Sequence, residues 1–132
     1  MATNLAIIKA SLQMLGVLNE VETPSAEQGQ LGLTVLNDLL EDWSGQEIDI
    51  GQWPQTDLAA EFPGAPNTEG AVKANLAIWL APYYAVGVSP PVVAMASSGF
   101  NRLLRDAMVA QLEAADMSHM PGLSDTTSIL EG

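Results

Sequence analysis

Residues 31–43, Leu-Gly-Leu-Thr-Val-Leu-Asn-Asp-Leu-Leu-Glu-Asp-Trp, constrain this chain more than any other stretch. Leu36, Leu39, Leu40 and Trp43 recur at i, i+3, i+4 and i+7, which at about 100° per residue puts them on one stripe of a helix. Asn37, Asp38, Glu41 and Asp42 fall on the other face. A short helix is marginal in water unless its apolar side is packed, so a stripe closed by a tryptophan must be buried by the rest of the chain. Leu36, Leu39, Leu40 and Trp43 are therefore the expected core.

The other segments supply the partners. Thr3 is a candidate N-cap for a first helix carrying Leu5, Ile8, Leu12 and Leu15, which Gly16 should end. The helix that reaches Trp43 has two candidate starts: Thr23 before Pro24, or Ser25 with Gln28 as a capping box. Gly29 and Gly32 weaken its first half by about 1 kcal/mol each, so that half depends on packing. A third helix starts at Asn67 or Thr68 and carries Val72, Leu76, Trp79 and Leu80, with Trp79 a further core residue. Pro82 sits in its last turn. A fourth begins at Ser89-Pro90-Pro91 and runs to about Ala115, with Phe100, Leu103, Leu104, Ala107, Met108 and Leu112 as its stripe and Ser97-Ser98-Gly99 as a point of bending.

Between the second and third helices, residues 47–70 are too rich in Gly and Pro for a helix. The alternation of Ile48 and Ile50 marks a short extended piece, one arm of a small hairpin. Trp53 and Phe62 are expected to pin this long loop to the helical body, the alternative being an exposed binding patch. The fold class is thus all-α: a four-helix domain over residues 1–117 with a long Pro/Gly-rich loop, followed by a tail, residues 118–132, that lacks periodicity. Ile129 and Leu130 are the apolar anchors in that tail.

Charge excludes some functions. The 132 residues include 16 acidic and 4 basic side chains, a formal net charge of −12, and no basic residue lies between Lys9 and Lys73. Such a surface repels nucleic acid. Cysteine is absent, so neither disulfides nor thiolate metal sites can form. The N-terminus lacks the pattern of a signal peptide, and the most apolar window, residues 76–88, is shorter than the roughly 18 residues of a membrane span and is broken by Pro82. Synthesis in the cytoplasm is expected.

Catalytic motifs are missing as well: there is no Gly-x-Ser-x-Gly elbow, phosphate-binding loop or His-Glu-x-x-His helix. The single histidine, His119, falls in the segment read as tail. Glu41 and Asp42 are adjacent in a helix and point about 100° apart, so they do not converge on a substrate or cation. No enzyme activity, cofactor or metal is expected.

The order of these parts resembles a known family. The first helix ends in Met14-Leu15-Gly16, Leu36-Asn37-Asp38-Leu39-Leu40 closes on Trp43, and Leu76-Ala77 through Leu80-Ala81-Pro82-Tyr83 precedes a proline-led last helix. Over residues 4–115 this is similar to the head-to-tail adaptors, the tail accessory or head-completion proteins, of short-tailed bacteriophages, with a shorter tail and a more acidic middle. The resemblance implies a structural virion protein at the head-tail junction, made in the host cytoplasm. It would assemble as a ring of about twelve copies with cyclic symmetry under the portal protein. It would extend the DNA channel and meet the nozzle or tube proteins of the tail. DNA would pass without specific binding, and Asp38, Glu41, Asp42, Glu47 and Asp49 are the candidate channel-lining residues. The C-terminal arm, with Ile129 and Leu130, would reach the portal or a neighbouring subunit. A second reading from the composition is an acidic helical module that occupies a basic groove of a partner protein.

Overall fold

In the computed structural model, which describes the backbone of residues 2–119 and the side chains of residues 2–113, each helix begins where the sequence offers a start signal. Thr3 caps α1 (Asn4–Met14), its hydroxyl accepting from the Ala6 amide at 3.1 Å, and Gly16 follows the helix at φ +76°. Of the two candidate starts for α2 (Ala26–Gly45), Ser25 is the one used. The Gln28 amide donates to Ser25 Oγ at 3.1 Å and the Ser25 amide to Gln28 Oε1 at 2.8 Å, which satisfies two orphan donors at once. A single 3-10 turn, Pro66–Thr68, leads into α3 (Glu69–Tyr84), and α4 spans Pro90–His119. Among the described residues the regular structure is helical, as expected, with one isolated antiparallel bridge between Thr3 and Glu61.

The hub is α3: α1, α2 and α4 all pack against it, α4 most extensively. Leu36, Leu39, Leu40 and Trp43 are all buried, together with Ile7, Ile8 and Leu12 of α1. Trp43 is 2% exposed, and its ring centroid lies 5.9 Å from that of Phe100, which ties the end of α2 to α4. Glycines set the close approaches. A side chain at Gly32 would run into Ile8 of α1, and a Cβ at Gly99 would lie 2.6 Å from Ala71 Cβ. Gly29 and Gly32, poor residues for an isolated helix, are thus the places where α2 lets its neighbours in.

Several sequence expectations change. The hairpin arm at Ile48 and Ile50 does not form. Ile48 is buried in a turn, and the chain after it bonds to α1 instead: Asn4 and Leu5 donate their amides to the carbonyls of Ala60 and Leu58, each at 2.9 Å. Those amides belong to the first turn of α1, where no intrahelical acceptor exists, so the loop serves as a cap. Trp79 packs at the margin of the core rather than inside it, because Leu76 and Leu80 take the inward positions. Trp53 is 61% exposed, while Phe62 is buried as expected. On α4 the burial stops early. Val92, Ala96 and Leu103 are buried, but Met108 and Leu112 are 55% and 64% exposed.

That last difference has two causes, helix phase and length: at about 100° per residue Met108 and Leu112 point roughly 140° and 180° away from the buried Leu103. The 30 residues of α4 span about 45 Å, against about 24 Å for the 16 residues of α3, so α3 cannot cover the whole of it. The helix runs without interruption through residues 97–99 and continues past Ala115 to His119, because the first strong breaker in the sequence is Pro121. His119 therefore closes a helix. Ile129, Leu130 and most of the expected tail lie outside the described residues.

Candidate interaction surfaces

The loop between α2 and α3 is held by amides rather than by regular structure. Asn37, on α2, donates from Nδ2 to the Gln55 carbonyl at 2.7 Å and accepts the Gln55 amide on Oδ1 at 2.8 Å. Asn4, at the start of α1, donates to Gln55 Oε1 and to the Asp57 carbonyl, both at 2.9 Å. Gln55 is 5% exposed and donates from Nε2 to the Trp53 carbonyl at 2.6 Å. A buried polar side chain must be hydrogen-bonded or it costs stability, so this trio fixes the segment in one conformation. Gln55 occupies the inward place, and Trp53 is left outside.

Beside Trp53 runs a groove of about 200 Å³ lined by Leu40, Glu41, Ser44, Gln52, Trp53 and Pro54. Gln52 forms its floor, donating from Nε2 to the Ile48 carbonyl at 2.8 Å and to Ser44 Oγ at 3.0 Å. An apolar hollow with a tryptophan on its rim is a common form of protein-binding surface.

The five candidate channel residues divide into three groups. Asp38 and Asp42 stand exposed on the outward face of α2, Asp42 accepting from Gln46 Nε2 at 2.8 Å. Glu41 is turned about 100° from Asp42 on the helix and lines the Trp53 groove. Glu47 and Asp49 lie past the end of α2 and, with Asp106 of α4, line a second, open groove of about 550 Å³. There Glu47, at φ +64°, accepts from Gln111 Nε2 at 2.6 Å and so ties the turn to α4. Asp49 Oδ1 accepts from the Gly51 amide at 2.8 Å. Among the described residues no group of three or more His, Cys, Asp or Glu side chains is placed to hold a metal ion.

The third surface is the far part of α4. From Met108 to Glu113 every side chain is exposed. Arg105, Met108 and Leu112 lie one or two turns apart along one side of α4, and Arg105 also lines a groove with Gly70 and Ala71 of α3. Three residues before Arg105, Arg102 donates from Nη2 to the Asn67 carbonyl at 2.7 Å. Burial pushes the phenol of Tyr84, at the end of α3, above its ordinary value near 10, so it stays protonated at physiological pH.

Comparison with protein-family models and with curated proteins finds no match. The function must therefore be read from these surfaces. Sequence reasoning located the acidic positions but not the amide trio, whose only trace is a pair of asparagines, Asn4 and Asn37, at helix positions that face the loop. It favoured a buried Trp53 over an exposed binding patch, because large aromatics are usually well buried, and for Trp53 the exposed alternative is the one found. Nothing in the local sequence shows that Gln55 would take the inward place. No helix among the described residues is long and apolar enough to cross a membrane.

Proposed function

We propose that this chain is a structural virion protein, a head-to-tail adaptor that assembles as a ring under the portal, extends the DNA channel and joins the capsid to the tail. The observation that supports it most is the outward face of α2. Asp38 and Asp42 stand exposed there, in a part of the chain without a basic residue from Lys9 to Lys73. A wall of like charge lets DNA slide past without sticking. The order of the sequence segments points the same way, and the role needs neither cofactor nor catalysis. In this reading Ile129 and Leu130 anchor the C-terminal arm to the portal or to a neighbouring copy.

The acidic face also suits the second reading, a module that fills a basic groove of a partner protein. The masses of the complexes separate the two. Mixed with portal rings, an adaptor gives a complex holding several copies per ring, as read by native mass spectrometry. A chain that ignores the portal but forms a tight one-to-one complex with a basic protein is the acidic module instead.

A further inference from the structure

A chain with net charge −12 repels its own copies, so a contact between copies needs a place where the sign reverses locally and apolar surface is available. Two of the four basic residues, Lys9 and Lys73, are half-buried on α1 and α3. Arg102 is bonded to the Asn67 carbonyl. Arg105 stands exposed on α4 with Met108 and Leu112 beside it, 55% and 64% exposed. Exposed apolar side chains beside a cation suit a contact with a partner that offers apolar surface and a carboxylate.

The complement is elsewhere on the same molecule. Glu41 borders the groove whose apolar walls are Leu40, Trp53 and Pro54, and Trp53 is itself 61% exposed. Arg105, Met108 and Leu112 are all exposed, and none of these three lines the Trp53 groove of its own chain. Both patches are open to a second copy.

We infer that copies of this chain associate head to tail, with Met108 and Leu112 of one copy seated against Trp53 of the next and Arg105 paired with its Glu41. The inference rests on the ring reading above, of which it names the subunit interface. Because the two patches differ, the contact is heterologous and repeats from copy to copy until rotation closes it. It leaves Asp38 and Asp42, on another side of α2, free to face the channel.

The chain has no cysteine, so a disulfide placed across the interface is a clean reporter. Trp53→Cys and Leu112→Cys replace exposed side chains, which spares the core. Under mild oxidation the two single variants mixed together should give a cross-linked dimer containing one of each, and the double variant a ladder of multimers. Adding Arg105→Glu to the Leu112→Cys chain should lower the yield by up to roughly fivefold, the range of an exposed ion pair, and Glu41→Arg on the Trp53→Cys chain should restore it. The trial is run on concentrated free protein and on protein bound to portal rings. No mixed cross-link in either setting, or equal cross-linking of Leu112→Cys with itself, would overturn the inference. Copies that collect on the portal without the cross-link would sink this interface and leave the adaptor role standing. A ladder that forms but never binds a portal would do the reverse.

Discussion

Trp43→Ala is expected to lower the unfolding free energy by about 3–5 kcal/mol, the range for removing a large buried aromatic. Trp43 is 2% exposed and touches both the body of α2 and, through Phe100, the middle of α4. Its loss opens a cavity where two helices meet, and the backbone of neither can collapse far to fill it. For a domain of this size the melting temperature should fall by roughly 10 °C or more. A shift of a degree or two would mean that the side chain contributes little and that the stripe of α2 is packed differently.

Gly99→Val should come next in severity. At Gly99 even a Cβ would lie 2.6 Å from the Cβ and 2.9 Å from the Cα of Ala71, and a backbone atom cannot swing aside as a side-chain tip can. Valine forces α4 away from α3 along their main contact, at a cost of about 1–3 kcal/mol for the overpacking. Gly70 makes a useful contrast, since a Cβ there meets nothing within 4 Å. Gly70→Ala should therefore stabilise by about 0.4–1 kcal/mol, through the unfolded state. Thermal melts of the two variants should move in opposite directions; a Gly99→Val protein that melts with the parent would show that α4 does not depend on this crossing.

Much of the fold was legible because the controlling signals are local. The Ser25 and Gln28 capping box, the Thr3 cap and the stripe ending at Trp43 each lie within one or two turns of sequence, and each forms as read. What periodicity cannot register is the supply of neighbours. Met108 and Leu112 continue the apolar spacing of Phe100 and Leu104, yet each step of four turns further from the side that Leu103 buries and α4 outruns α3, so they emerge into solvent. The loop was obscure for a different reason. Asn4, Asn37 and Gln55 come together from three parts of the chain, and their hydrogen bonds decide that Gln55 is in and Trp53 out. Neither fact has a local signature. Both bear on function, since the uncovered end of α4 and the uncovered tryptophan are the two surfaces the proposed interface uses.

The acidic positions show the same division. Their presence was evident from composition, but their grouping depends on how α2 is rotated and on where its last turn ends. Asp38 and Asp42 look outward, Glu41 borders the groove, and Glu47 and Asp49 turn toward α4. In the proposed ring, one helix would thereby carry both a channel face and part of the contact with the next copy.

The central claim is that this chain forms the wall of a DNA channel, and a reconstruction of the protein assembled on its portal tests it most directly. The account predicts a closed ring of copies in which Asp38 and Asp42 face the lumen and make its wall negative. A ring whose lumen is neutral or basic, with these two carboxylates turned to the outside, would contradict it.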